Sequence, residues 1–259
     1  MCAKIIEVNE ENIDECGLFC RKSYMREEGN KKKVNWLKQQ FDNGLKYQLL
    51  LVQERGKETS RGFIEYIPGE FAWRGISAEG WMTIICLWVT GKAKEKGHGT
   101  NLLKKAIEEA KRENMYGVVS MTADKQGWLP RPSIYEKNGF EKVDEYEPYF
   151  SLYALRFSGN APTPKFNDNF EENLNQYGEG ISVLYTYQCP HILNMIDEIK
   201  EFADQNNISI ELRVLETAKD VKKHAVHPYG VFSVIFNGEL ITYKPGMRKE
   251  TIERLKERI

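Results

Sequence analysis

Apolar and polar residues alternate along "AKIIEV" near the start of the chain, the two-residue period of a half-buried strand. Ile13, Cys16, Phe19 and Cys20 then recur at helical spacing behind Asn9, a helix-capping residue type. Val34, Leu37 and Phe41 mark a second helix. "YQLLLVQER" and "RGFIEYI" read as two strands joined by a polar turn through Gly56. "WMTIICLWVT" is an unbroken apolar run, the pattern of a strand covered on both faces. A turn holding Gly97 and Gly99 follows, then a helix with Leu102, Leu103, Ala106, Ile107 and Ala110 on one side. "YGVVSMTA" predicts another strand, the proline-bounded loop "GWLPRP" leads to the short segment "SIYEKNGF", and "YFSLYALRF" closes the series. The order βααβββαβαββ predicts a mixed α/β layer around a central sheet.

"SGNAPTPKFNDNFEENLNQYGEG", residues 158–180, is rich in Pro, Asn, Gly and Glu and has no sustained apolar period, the composition of a linker. The pattern then restarts with the strand "ISVLYTY" and a helix carrying Leu193, Ile196, Ile199 and Ala203 on one face. A strand "ISIELRVLE", a helix "AKDVKKHAV", a hairpin turning at Asn237-Gly238 and a terminal helix "RKETIERLKERI" complete a βαβαββα order. Two domains are expected, over 1–157 and 181–259, joined by the linker 158–180.

Charge and composition narrow the function classes. The formal net charge of −1 provides no global field to recruit nucleic acid or an anionic membrane. The five cysteines are scattered and odd in number, unlike the paired spacings of disulfide scaffolds and zinc modules. Reduced thiols, a cytoplasmic location and no bound metal are the expectation. "MCAKIIEVNEENIDE" turns acidic where a secretory leader needs its apolar run. No apolar run approaches the roughly 20 residues that span a bilayer. A monomer or homodimer without nucleic-acid or membrane partners is expected.

The glycine turn carries the first candidate chemistry. A helix start offers unpaired backbone N–H groups and the positive end of the helix dipole, and glycine lets the backbone approach an anion closely. Strand, Gly97-His98-Gly99, then helix therefore has the make-up of a pyrophosphate cradle, with Lys92, Lys94 and Lys96 around it. The plainer reading is a strand-to-helix turn with solvated lysines. "GKAKEKGHGTN" lacks the Gly-Lys-Ser/Thr ending of a P-loop and the third glycine of a dinucleotide fingerprint.

"LWVTGKAKEKGHGTNLL" resembles motif A of the GCN5-related N-acetyltransferase (GNAT) superfamily, in which Gln/Arg-x-x-Gly-x-Gly/Ala follows a strand of the form apolar-x-Val. Lys94-Glu95-Lys96-Gly97-His98-Gly99 fills it, with Lys94 where Gln or Arg is usual. "SIYEKNGFEKV" is similar to the family's other hallmark, a tyrosine ahead of a Gly-Phe pair: Tyr135, Gly139 and Phe140. The resemblance covers residues 4–157 and implies direct acetyl transfer from acetyl-CoA to an amine, on a GNAT fold. It implies that backbone amides from Lys96 to Thr100 hold the pyrophosphate and that the strand Cys86–Val89 pairs with the pantetheine arm. Leu87 or Val89 N–H would polarise the thioester carbonyl, with Trp88 between them, and Tyr135 would protonate the departing thiolate. His98 is read as capping or solvated rather than catalytic. Glu79, just before the strand, is the candidate base, against the reading of an exposed loop charge, and Thr83 lies inside the strand. Trp73, Arg74 and Trp81 in an aromatic-rich loop are candidate pocket walls, or ordinary core.

In the second domain Cys189 follows a strand and opens a helix, where the helix dipole acidifies a thiol. The element order resembles thioredoxin-like folds, but Ile192 stands where the redox motif has its second cysteine. Cys189 is a single reactive thiol, a soft-metal ligand with His191, His224 or His227, or a packed small residue. Residues 165–259 resemble the YoaP-like domain attached behind a GNAT domain in bacterial acetyltransferases. The alternative to an acetyltransferase is a thiol-based redox or metal-sensing protein whose first domain only binds acyl-CoA.

Overall fold

A computed structural model describes residues 3–123, 129–157 and 159–259. Cys2, and Gly127 and Trp128 of the proline-bounded loop, lie outside the described residues. The chain begins β1 (Ala3–Val8), α1 (Ile13–Cys16), α2 (Glu28–Phe41), β2 (Lys46–Glu54), β3 (Lys57–Pro68), β4 (Ile76–Ser77) and β5 (Met82–Val89). It continues α3 (His98–Arg112), β6 (Gly117–Ala123), α4 (Pro132–Glu136), β7 (Glu141–Tyr146), β8 (Phe150–Arg156), β9 (Lys165–Phe166) and α5 (Phe170–Leu174). The remainder is β10 (Ile181–Tyr185), α6 (Ile192–Asn206), β11 (Ile210–Val214), α7 (Ala218–His224), β12 (Phe232–Phe236), β13 (Glu239–Thr242) and α8 (Arg248–Lys256). The residues group into two compact units, one of Met1–Lys22, Leu37–Ala72 and Ser77–Phe166, the other of Ser23–Trp36, Trp73–Ile76 and Asn167–Ile259.

The first unit is built on a seven-stranded mixed sheet in the order β1-β2-β3-β5-β6-β8-β7. Only β5 and β6 pair in parallel among its registered neighbours, and α3 is the crossover that parallel pairing requires. The apolar stripe of α3 (Leu102, Leu103, Ala106 and Ala110) is fully buried against Ile64, Tyr66, Met82, Ile84, Leu87 and Val118 of the sheet. The helix expected to run from Ile13 to Cys20 stops at Cys16, because Gly17 turns to φ +66°. Asn9 acts one step earlier than expected: its Oδ1 accepts from the backbone of Glu11 (3.0 Å) and Asn12 (3.2 Å), and Asn12 is the N-cap residue.

The second unit has a four-stranded sheet in the order β11-β10-β12-β13. β10 is parallel to β11 and antiparallel to β12, which is antiparallel to β13. Ile192, Met195, Ile196, Ile199, Phe202 and Ala203 of α6 pack on Val183, Phe232 and Val234. A reciprocal Thr217–Asp220 capping box starts α7. The stretch 158–180, whose composition reads as a linker, holds β9 and α5, and its asparagines explain why. Asn169 Nδ2 donates to the Lys222 carbonyl (3.2 Å), and Asn173 Nδ2 to the carbonyls of Lys223 and Ala225 (2.9 Å each). These side chains satisfy carbonyls that the end of α7 would otherwise leave unpaired.

His227 is buried in this unit with its ring stacked on Tyr243 at 4.2 Å, and its Nδ1 accepts from the Tyr229 backbone at 3.1 Å. Burial disfavours the charged imidazolium and lowers its pKa from 6.5 to about 3. The folded state therefore stays neutral at His227 while the unfolded chain takes up a proton below 6.5, so stability is present at neutral pH and is lost as pH falls from 6.5 toward 3. Denaturant unfolding at pH 7 and pH 5 is expected to show a loss of about 2 kcal/mol from this group. In His227→Asn that increment should disappear from the pH dependence.

Candidate functional site

β5 and β6 are registered only over Met82–Val118, Thr83–Val119 and Ile84–Ser120. Both strands run on, β5 to Val89 and β6 to Ala123, so they splay beyond Ile84. The cause is local. On its other edge β5 passes from Ile84–Tyr66 to Cys86–Glu65, which leaves Ile85 as an extra residue on β5. Such a bulge bends and twists the strand that carries it, here at the level where β6 is left behind. Cys86–Val89 keep their pairing with Gly62–Glu65 of β3 on one edge and face the gap with the other. Leu87 points into the α3 core at 5% exposure, while Cys86, Trp88 and Val89 are half-buried.

The glycine turn follows β5 and opens α3. Gly97 is the N-cap of α3 at φ +76°, a left-handed conformation that glycine adopts without steric cost, and no side chain caps the helix. Gly99 serves differently: a Cβ there would come within 2.9 Å of Ile134 Cδ1, so its bareness lets α4 approach the first turn of α3. No acidic residue lies in that turn, and Lys92, Lys94, Glu95 and Lys96 are exposed around it, with His98 and Thr100 half-buried. The amides of the first turn thus face outward under a partial positive charge, a fit to a phosphate-bearing ligand.

Tyr135 stands at the narrow end. It is fully buried on α4, edge-on to Phe140 at 5.3 Å, and Asn138 ties this segment to α3 through Thr100 Oγ1 at 3.4 Å. Ser120 Oγ, on the last residue of β6 registered with β5, donates to Tyr135 Oη at 2.8 Å. The phenol's own hydrogen remains for another acceptor. Burial raises the Tyr135 pKa well above its ordinary value, against the lowering effect of the Ser120 hydrogen bond, and the nearby Cys86 raises it further. The phenol therefore stays neutral throughout the physiological range.

Tyr135 lies where β5 and β6 part, Leu87, Trp88 and Val89 lie on β5 beyond that point, and the Lys94–Thr100 turn leads from the end of β5 into α3. Glu79 does not join them. It is exposed on the turn before β5, at the end where β5 and β6 are still paired. Trp81 is core: its Nε1 donates to the Pro162 carbonyl at 2.9 Å and Arg156 lies over its ring. Trp73 and Arg74 belong to the second unit, where Trp73 packs edge-on against Trp36 at 5.3 Å and Arg74 Nη1 donates to Gln188 Oε1 at 3.2 Å. Sequence reasoning missed Ser120, a polar residue in the apolar strand "YGVVSMTA" that the fold brings to Tyr135.

Cys189 lies in the loop between β10 and α6, ahead of the N-cap His191, rather than in the helix itself. It is half-buried with a reduced thiol, as are Cys16, Cys20 and Cys86. Among the described residues no group of three or more His, Cys, Asp or Glu side chains could hold a metal ion, and no helix is long and apolar enough to cross a membrane.

Residues 17–140 match the family model described as Acetyltransferase (GNAT) family. The chain is 33% identical over 242 residues to the uncharacterized N-acetyltransferase YoaP of Bacillus subtilis strain 168, covering 92% of this chain and 93% of that relative. Among solved structures, a GNAT-family acetyltransferase from Staphylococcus aureus Mu50 is similar at 18% identity, with a TM-score of 0.43 over 61% of this chain and 100% of that one. A streptothricin acetyltransferase from Bacillus anthracis strain Ames, in complex with acetyl coenzyme A, is similar at 19% identity, with a TM-score of 0.42 over the same shares.

The left-handed N-cap makes a direct prediction. Gly97→Ala places a Cβ in a backbone conformation that costs an L-residue about 1 kcal/mol, although nothing crowds the position. A lowered melting temperature with unchanged far-UV circular dichroism is the expected result.

Proposed function

The chain belongs to the GNAT acetyltransferase family, and we propose that it transfers the acetyl group of acetyl-CoA directly to an amine. One observation carries the residue assignment: the buried Tyr135 hydroxyl, oriented by Ser120, lies where β5 and β6 separate. A thioester laid along the free edge of β5 would bring its sulfur toward that apex. The backbone amides from Lys96 to Thr100 then hold the pyrophosphate, with the Lys94 and Lys96 side chains adding charge. The β5 edge from Leu87 through Trp88 to Val89 pairs with the pantetheine arm, and the Leu87 or Val89 N–H polarises the thioester carbonyl. Acetyl-CoA supplies the activated acyl group, and Tyr135 gives its proton to the departing sulfur.

The second unit is read as a thioredoxin-like, YoaP-type domain. Its sheet order β11-β10-β12-β13, with one parallel and two antiparallel pairings and helices after β10, β11 and β13, supports this reading. A substrate-binding or regulatory role for it fits its place in the chain after the acetyltransferase unit, with Cys189 as a half-buried thiol.

Acetyl-CoA consumption across a panel of primary amines, with isothermal titration of CoA alongside, tests the assignment. Tyr135→Phe should lose roughly 100-fold or more in kcat while CoA affinity stays within about threefold of the parent. A variant with parent-like turnover would remove Tyr135 from the chemistry. Gly99→Glu, which puts bulk and negative charge into the helix start, should abolish CoA binding in a folded protein.

A further inference from the structure

Tyr135 is carried by α4, a helix of five residues, and the sheet holds it from one side. Ser120 on β6 and Tyr153 on β8 are register partners and share a face. Ser120 Oγ donates to Tyr135 Oη and Tyr153 Oη donates to Glu136 Oε1, each at 2.8 Å. Two consecutive residues of α4 are thus fixed to one row of the sheet. A further anchor is Asn138, which follows α4 and reaches α3. Its side-chain amide donates to the Ile134 carbonyl at 2.7 Å and to Thr100 Oγ1 at 3.4 Å. The Asn138 backbone N–H goes to the Tyr135 carbonyl at 2.9 Å, so the side chain takes the place that a helical N–H would have at Ile134. That first bond aims the second.

Thr100 belongs to the first turn of α3. The ladder of that helix opens with the Asn101 N–H on the Gly97 carbonyl at 3.0 Å, so the amides of His98, Gly99 and Thr100 have no acceptor within the helix. The Thr100 hydroxyl accepts from Asn138 and keeps its own hydrogen to give. Thr100 is therefore shared: it is part of the turn assigned to the pyrophosphate and, through Asn138, of the segment that carries Tyr135. Ile134 and Asn138 stand on either side of Tyr135 in the chain, and both reach α3. Ile134 Cδ1 lies where it would come within 2.9 Å of a Cβ on Gly99. The Asn138–Thr100 bond, at 3.4 Å, is longer than the usual N–H···O range and has room to shorten.

We propose that Asn138 is a positioning residue that couples pyrophosphate binding at the first turn of α3 to the placement of Tyr135. The inference rests on the acetyl-transfer reading and adds to it a regulation of the same site by its own donor. With a phosphate at the helix start, the Thr100 hydroxyl gives its hydrogen to the anion. A hydroxyl that donates to an anion becomes a stronger acceptor, so the bond from Asn138 tightens and draws the end of α4 toward α3. Tyr135, held on the sheet side by Ser120, is then fixed from both sides only while the pyrophosphate is bound. Asn138 itself moves no proton and touches neither the thioester nor the amine.

The test uses the full-length protein with carbon-13 in its tyrosine rings, the Tyr135 resonance being identified by its loss in Tyr135→Phe. The probe is ADP, which carries a pyrophosphate without the pantetheine arm. ADP should displace CoA and shift the Tyr135 resonance in the parent and in Thr100→Ser, which keeps the hydroxyl. In Asn138→Ala and in Thr100→Val the shift should vanish, and calorimetry should show CoA binding weakened roughly tenfold. The double variant should lose no more than either single change, because both remove one bond. Thr100→Val leaves the Asn138 bond to Ile134 in place, so a shift that survives there would reduce Asn138 to a helix cap and overturn the coupling. ADP that displaces CoA from the parent without moving the Tyr135 resonance would overturn it too, as would a CoA-binding parent from which ADP displaces nothing. A parent that binds neither CoA nor ADP would overturn the acetyl-transfer reading itself, and this inference with it.

Discussion

β5 and β6 share three registered positions and then part, so beyond Ile84 the two strands no longer pair in register in the middle of the sheet. The extra residue at Ile85 makes the separation a built feature: it bends β5 while leaving its pairing to β3 intact on the other edge. Everything assigned to acetyl transfer is arranged around that opening. Ser120 and Tyr135 stand at its apex, and the first turn of α3 follows the far end of β5.

The groups bordering the gap divide the work by burial. At the helix start the charged side chains are exposed, and the fixed elements are backbone amides, which suits a large, hydrated anion. At the apex the opposite holds. Tyr135 is removed from solvent, held by one hydrogen bond and kept protonated by desolvation. A neutral acid at the narrow end and a partial positive charge at the wide end impose a direction on any thioester of CoA lying between them.

The second unit is held by different means. Its α7 begins in a capping box and ends against asparagine side chains from 169 and 173, and its buried His227 exchanges charge for packing on Tyr243. Those asparagines make a stretch of chain look like linker in composition while they act as backbone substitutes in three dimensions.

The sequence by itself determined the elements and the two sites of local chemistry. Hydrophobic period predicts each main strand and helix because burial repeats with the backbone's own period. The glycine turn and the Tyr135 segment were legible because each is a short run whose residue types carry its geometry, as Gly97 does at φ +76°. What depends on strand register was not legible. That Ser120 meets Tyr135, that Glu65 lies beside Cys86 while Glu79 sits on an exposed turn, and that Ser23–Trp36 and Trp73–Ile76 group with Asn167–Ile259 are decided by pairings between residues far apart in the chain. A one-residue bulge shifts such a register, and no local pattern encodes it. The tertiary structure alone chose which acids in the sequence became buried, Glu65 and Glu109 among the described residues.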